Sequence, residues 1–465
     1  MKKTVSFSKV MCLLIGISLI YHTVFAAIMF VISYTMPARK LGRMLNGFII
    51  LLLLGWFVYH YFLKKEKEMV MTVIKKYMRA ENMFLLLFFV WMYVGCFRRM
   101  LIRGNTSLGG NAVILIIVAI KIFLAYMYAQ YVNGNKRLIH NMFRILIGGL
   151  TVAMLFFIYQ LVLNEEFLYQ NGSLFLRIDL RFQEKRLYIS ANPNTIGMCA
   201  KTMVMLCAYM FAVTKKKTRF FYLPALIIHY IIMVMTDSRA SILSAAICFG
   251  LIASIYCWDK VRKRRLAVRI AITVIAFLLT FGMVDAMRTP TIMGYKLARC
   301  WVTGEKFEWN GGKRELLKDS SGRGPIFLAA IRSMRHPDVA VFGVTKDGVF
   351  DLLTEEMGQR RYEHTHNEFL EIMCSTGIPG FLLFLAWLCM AAWCGARVFF
   401  NVKGRFTFSE RILMVICLAE LGNNMMEGRL TFYPHLSGMI FYLTAGYAVV
   451  FAQRLNHSGE EINNK

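Results

Sequence analysis

Acidic residues are scarce in this chain. Its 465 residues carry 27 Asp and Glu against 55 Lys and Arg, a formal net charge of +28. In a soluble protein such a surplus would suggest a nucleic-acid surface. Here the basic residues punctuate apolar runs and form no single patch, so nucleic acid is not the expected partner. Their first job is to orient spans in a bilayer. Several motifs are also missing. There is no phosphate-cradling GxxxxGK[ST], no HExxH and no GxSxG. The long loops lack a DxD of the kind that holds a divalent metal on a nucleotide sugar. These absences point away from nucleotide-dependent and metal-dependent chemistry and predict no cofactor. The 11 cysteines include no CxxC and no Cys/His metal spacing. Nearly all sit in apolar stretches, as small packing residues. Cys300 and Cys374 share one loop region and could pair. No internal repeat or low-complexity tract occurs.

What the chain has in excess is apolar sequence. Hydrophobic residues make up 57% of it, above the roughly 45–50% of ordinary globular proteins. Runs of about 16–25 apolar residues recur, and about 20 cross the hydrocarbon layer as a helix. The runs are apolar all round, which soluble amphipathic packing does not require. The fold class expected is an all-α integral membrane protein with about twelve transmembrane helices. The spans are read near 10–34, 45–63, 82–97, 111–132, 143–163, 195–213, 220–236, 241–258, 266–286, 376–396, 412–426 and 435–453. The N-terminus resembles a signal peptide, with Lys2, Lys3 and a small-x-small site ending at Ala26. Its apolar run continues to about Tyr34, too long for a signal core, so it is read as the first span.

Charge sets the expected topology. With the N-terminus in the cytoplasm, the inside loops include KKEKEMVMTVIKKYMR, NGNKRLIHNMFR, TKKKTR and DKVRKRR, the most basic short loops present. Both termini then lie in the cytoplasm. Two long segments fall outside, at about 164–194 and 287–375. The second divides the chain into spans 1–9 (residues 1–286), a large outer loop (287–375) and spans 10–12 with a tail (376–465). That loop holds Trp301, Phe307, Trp309, Phe327, Phe342 and Phe350, and its stretch PIFLAAIRSM reads as a helix. It is expected to fold as a lid over the outer mouth.

Ionisable groups in or beside spans are costly unless paired and so mark function. Asn192, Pro193 and Asn194 open the sixth span. They are either an ordinary helix cap or a turn whose amides face a ligand. Lys201, two turns deeper, is costly there and argues against the plain cap. Asp237, Ser238 and Arg239 fill a loop of a few residues. Arg239 is either a two-pronged phosphate clamp or half of a surface pair with Asp237. Arg323 stands between two glycines, ahead of a helix that Pro325 can start, which suits an anion site or an ordinary turn. Arg332 and Arg335 read as solvated or lid-packing. In HTHNEFLEIMCSTGIPG, from His364 to Gly380, Asn367 can cap a short helix through about Cys374. His366 then sits at a helix N-terminus that keeps it neutral and able to accept a proton. Beyond the eleventh span, Glu427 and Arg429 pair with each other or hydrogen-bond a sugar.

In this order and context, NPN at 192–194, DSRAS at 237–241, SGR at 321–323 and HN at 366–367 resemble the O-antigen ligase/polymerase family. These are bacterial membrane glycosyltransferases. The resemblance covers roughly residues 190–385. It implies a GT-C-like fold in the cytoplasmic membrane and transfer of a glycan from undecaprenyl diphosphate to an acceptor sugar on its outer face. The product would be O-antigen, capsule or exopolysaccharide. The partners it implies are the lipid-linked donor, a glycan or lipid-linked acceptor, the bilayer and a chain-length regulator. It assigns Arg239 and Arg323 to the donor diphosphate and His366 to acceptor activation. Asn192, Asn194, Ser238, Asn367, Glu427 and Arg429 become the candidate substrate-binding set. The chain departs from the family at Ile326 and Phe327, where many members have Trp. It departs again at HPDVAVFGV, where many have PxxGxG.

The implied chemistry is metal-independent and inverting, with two guanidiniums neutralising the departing diphosphate and His366 as base. Three rivals stand beside it. One is a transporter of lipid-linked sugars, which would carry more mid-span charge than Lys121 and Lys201. Another is a peptidoglycan polymerase of the shape-and-division type, which would need an acidic catalyst such as Glu363 or Glu368. The third is a structural component, which leaves the Arg/Arg/His set unexplained.

Overall fold

The computed structural model describes residues 79–103, 107–163, 193–215, 217–304, 306, 323–358, 364–400, 406–428, 430–432 and 436–463. It also describes short strands near 33–34 and 176–189 and scattered positions between 16 and 75. The span expected near 10–34 therefore lies mostly outside the described residues and that near 45–63 partly so; Phe307, Trp309, Glu363, Asn192 and Arg429 also lie outside them.

The helices are α1 (Ala80–Arg103), α2 (Ser107–Tyr131), α3 (Lys136–Leu163), α4 (Pro193–Val213), α5 (Tyr222–Met235), α6 (Arg239–Lys260) and α7 (Leu266–Ala286). They continue as α8 (Arg288–Thr303), α9 (Gly324–Arg332), α10 (Pro337–Phe342), α11 (Thr345–Met357), α12 (Glu368–Phe399), α13 (Phe408–Glu427) and α14 (Leu436–Asn463). Two small antiparallel pairs complete the list: β1 (Ser33–Tyr34) with β2 (Leu176–Arg177), and β3 (Leu180–Gln183) with β4 (Arg186–Ile189). Among the described residues, 8 helices are long and apolar enough to cross a membrane. The chain is an all-α polytopic membrane protein.

Helix α13 misses that apolar criterion for a physical reason. It carries Glu410, Arg411, Glu420, Asn423, Asn424 and Glu427 within 20 residues. It is tolerated because α6, α12 and α14 pack around it. The apolar window of α14 is 94% buried, so α14 is the central helix, while that of α7 and α8 is only 6% buried and faces outward. Between spans the packing gain is mainly van der Waals contact, which favours small residues at close crossings. Gly446 on α14 meets α2 in this way: a Cβ there would lie 2.0 Å from the Tyr126 carbonyl oxygen.

The helix read as the ninth span ends at Ala286, where the sequence placed its end, and a further helix follows without a loop. At Met287 the chain passes into α8, which runs on to Thr303. Cys300 and Cys374 are both free thiols, so the pairing open in the sequence is not made. Cys374 instead packs with Ile326, Ala330 and Leu353 in the small core of α9–α11.

Helix α12 is bent. Asn367 caps it, and Gly377 breaks it at φ 72°, ψ −179°. That left-handed φ suits glycine, and Pro379 follows it. Breaking the ladder frees carbonyl groups that must be satisfied elsewhere. Trp91 Nε1 donates to the Thr376 carbonyl at 2.9 Å, and the Val344 amide to that of Cys374 at 2.8 Å. The first nine residues of α12 thus form a separate short helix tied to the α9–α11 layer. Phe342 anchors that layer to α1. It stacks on Trp91 at 5.6 Å, and Arg98 covers it while pairing with Asp338 at 2.9 Å. Phe342 is therefore occupied in packing, whereas Trp301 is 88% exposed. Arg332 and Arg335 are solvent-exposed.

Candidate active site

Glu427, the last residue of α13, is almost fully buried and holds two motifs together. Its Oε1 accepts from Arg323 Nη2 at 3.0 Å, and its Oε2 accepts from Asn194 Nδ2 at 3.1 Å. Arg323 Nη1 also donates to the Met426 carbonyl. One carboxylate therefore joins the start of α4, the start of α9 and the end of α13. Of the sequence alternatives for Glu427, neither named Arg323 as its partner. The guanidinium is 19% exposed, so one edge still faces outward. Arg323 is the N-cap residue of α9, where the helix dipole adds to its positive charge.

The HTHN turn docks against the same end of α13. Gly428 takes φ +60°, and a Cβ there would lie 3.2 Å from the Asn367 backbone nitrogen. Fully buried Glu368 accepts from the backbone amides of Leu430 at 2.7 Å and Thr431 at 2.8 Å. Both of its oxygens are thereby used in anchoring, which removes it as a free catalytic acid. Asn367 Oδ1 accepts from the amides of Phe369 at 3.0 Å and Leu370 at 3.1 Å, the expected cap. That oxygen is not available to a sugar. Glu371, also fully buried, accepts from the Thr365 amide at 2.8 Å and from Lys346 Nζ at 2.6 Å.

These ties hold His366 in a strained backbone conformation with φ 55°. A histidine held in the left-handed region costs of order 1–3 kcal/mol and clusters at functional sites. The His366 amide donates to His364 Nδ1 at 3.2 Å, and the two rings lie 4.0 Å apart. His364 Nδ1 is therefore an acceptor, which puts the proton of neutral His364 on Nε2.

Arg239 is the first residue of α6, after the buried N-cap Ser238. Ser238 Oγ lies 2.9 Å from Ser241 Oγ, so this serine shapes the turn and is not open to substrate. Asp237 has φ 46°. Asp237 pairs with Arg288 at 2.8 Å; Arg288 also pairs with Asp285 at 2.9 Å. Arg288 is 1% exposed and had no place in the sequence reading. Asp285 and Arg288, three apart at the end of an apolar run, were the available signal. The turn packs against α4 at Gly197, three residues after Asn194. A Cβ at Gly197 would lie 2.6 Å from Ser238 Cβ and 2.8 Å from Thr236 Oγ1. Gly197→Ala should push the Asp237–Arg239 turn away and, if the transfer that the sequence resemblance implies is the activity, lower it about tenfold or more while the helices still form. Circular dichroism beside a transfer assay checks it, and wild-type transfer in the folded variant would contradict it.

Below these groups runs a buried polar seam. Lys201 and Glu420, each 0% exposed, form an ion pair. Glu420 also accepts from Thr202 Oγ1 at 2.6 Å and from Ser437 Oγ. Asn424 Nδ2 reaches Ser437 Oγ at 3.0 Å. Lys201 lies seven residues past Asn194, and Glu420 seven before Glu427, so the seam continues the site inward along α4 and α13. The sequence marked Lys201 but not its partner. Among the described residues, no three His, Cys, Asp or Glu cluster as a metal site would require.

Residues 224–385 match the family model described as O-antigen ligase. That stretch is similar to the O-antigen ligase family, and the rest of the chain lies outside the match. The match takes in Arg239, Arg323, His366 and Asn367 and leaves Asn194 and Glu427 outside. No curated protein matches the chain. The family match gives the O-antigen ligase domain a polysaccharide-related glycosyl-transfer role, in a multi-pass bacterial membrane protein.

Proposed function

We propose that the chain is a polysaccharide polymerase or ligase, working on the outer face of the cytoplasmic membrane. It transfers a glycan from undecaprenyl diphosphate to an acceptor hydroxyl, without a metal and with inversion. The observation that carries this reading is the bridge of Glu427 to both Arg323 and Asn194, with Gly428 against Asn367. It brings three separated motifs to one end of the bundle, and Gly197 adds the fourth.

In this reading Arg323 and Arg239 take the diphosphate oxygens. Each is a guanidinium at a helix start, where partial positive charge already favours an anion. The acceptor hydroxyl oxygen bonds to the anomeric carbon as the bond from that carbon to the diphosphate oxygen breaks. The hydroxyl proton passes to His366, and undecaprenyl diphosphate departs with the bond electrons. Attack opposite the leaving group inverts the anomeric centre. Fixed cations at the developing charge lower the barrier because they need no reorganisation. An apolar cavity of about 570 Å³ between α5, α7 and α8, lined in part by Ile231, Val284 and Met287, offers the donor's polyprenyl chain a place beside the Asp237 turn. The fully enclosed Lys201–Glu420 pair weighs against an open transport path.

The test is a transfer assay with purified protein in lipid, a lipid-linked oligosaccharide donor and no added metal. His366→Ala should lower the rate about 10²–10⁴-fold, the usual contribution of a general base. A product ladder in wild type alone means a polymerase, and a single addition to a supplied acceptor means a ligase. Unchanged turnover in His366→Ala would remove the base from the mechanism.

A further inference from the structure

A basic cavity lies at the opposite end of the bundle from Arg239 and Arg323. It has a volume of about 350 Å³ and sits where the ends of α6, α7, α12 and α13 meet. Among the described residues, Arg262, Arg269 and Arg411 line it, with Asp259 as the one acidic residue. Arg411 Nη2 pairs with Asp259, but its Nε is buried with no hydrogen-bond partner. Arg269 lies 3.5 Å from the Trp258 ring centroid, and its Nε donates to the Trp258 carbonyl at 3.2 Å. Arg262 is solvent-exposed at the rim. Phe399, Phe400 and Phe406 form the other wall.

We propose that this cavity binds the phosphate group of an anionic membrane lipid, with the start of its acyl chain along the phenylalanine wall. Three guanidiniums face one carboxylate, which leaves the cavity positive. Arginine's planar fork takes phosphate oxygens in pairs. Basic residues that only orient a span would remain fully hydrated. Here Arg411 is 14% exposed and held by Asp259, so the cavity wall carries a fixed and largely desolvated guanidinium. The depth fits as well. Asp259 lies 20 residues after Arg239 along α6, about 30 Å at 1.5 Å per residue. That is the thickness of the hydrocarbon layer, so the cavity stands at headgroup level on the far membrane face. The wall of three aromatic rings favours a lipid over free phosphate, which would gain nothing from it.

The experiment uses the full chain in a neutral detergent and follows Tm and bound mass by native mass spectrometry. Short-chain phosphatidylglycerol, phosphatidylcholine and inorganic phosphate are titrated separately. Phosphatidylglycerol should raise Tm by several degrees at about 100 times its Kd and should be retained as a bound adduct. The Arg262→Gln/Arg269→Gln variant, which keeps the Arg411–Asp259 pair, should weaken that binding at least about tenfold. Arg262→Gln alone alters only an exposed side chain and should weaken it less, which keeps the test valid if the double variant folds poorly. Equal stabilisation by phosphatidylcholine, or an unchanged shift in both variants, would overturn the site. A full effect from inorganic phosphate would overturn the lipid assignment.

Discussion

Arg323→Ala should slow glycan transfer by about 10²–10³-fold, the usual cost of removing one preorganised group that stabilises developing charge. Arg323→Lys should not rescue it. The guanidinium grips two acceptors at once, the Met426 carbonyl and Glu427 Oε1. An ammonium cannot hold both while still presenting an edge to a phosphate. Arg239→Ala should cost a similar amount. The double variant should lose less than the product of the two single losses, since in the proposed mechanism both groups serve one diphosphate. Glu427→Ala should reduce the rate less than Arg323→Ala, because it removes the aim of the guanidinium and not the charge. Initial rates with a lipid-linked donor, taken on folded protein, decide this. Wild-type rates in both single arginine variants would end the diphosphate assignment.

The ordering of these effects depends on contacts that only part of the sequence revealed. Local patterns were legible. Apolar runs marked α1 to α7 and α12 to α14 but not α8, α10 or α11, and Asn367 followed by STGIPG marked a capped short helix and a bend. The structure has that cap and that bend, with the break at Gly377. Local pattern also fails in an identifiable way. Hydropathy treats residues 412–426 as one more apolar run, and Glu420 passes as a minor interruption. Its meaning lies in Lys201, 219 positions away. The Glu427–Arg323 contact spans 104 positions and the Glu427–Asn194 contact 233. No helical or strand period encodes such pairs; they follow from which helices pack together. Arg288 was missed for the same reason. Its charge reads as one more basic residue at a span end, yet its partner Asp237 lies 51 positions earlier. Each motif was visible as a polar exception in apolar sequence. The carboxylate that joins them was visible only as a residue with two open readings.

The Lys201–Glu420 pair gives the second large effect, on stability. Lys201→Met alone should destabilise the protein by about 3–5 kcal/mol, because fully buried Glu420 loses its ion-pair partner. Glu420→Leu alone should do the same by stranding the ammonium and the hydroxyls of Thr202 and Ser437, which now donate to that carboxylate. The double variant Lys201→Met/Glu420→Leu should recover most of the loss, since desolvation of two ions offsets much of their attraction. Unfolding midpoints of the four proteins in one detergent form the cycle, and single variants as stable as wild type would show the pair to be open to water. The double variant also separates stability from function. On α13, Asn423 and Glu427 follow Glu420 at three and seven residues, so they lie near one face of that helix. Asn423 is 1% exposed, with both amide atoms buried and unpartnered. If the seam only joins helices, the double variant transfers glycan at the wild-type rate. If the pair sets the rotation of α13, Glu427 loses its alignment with Arg323 and Asn194, and transfer falls although stability is restored.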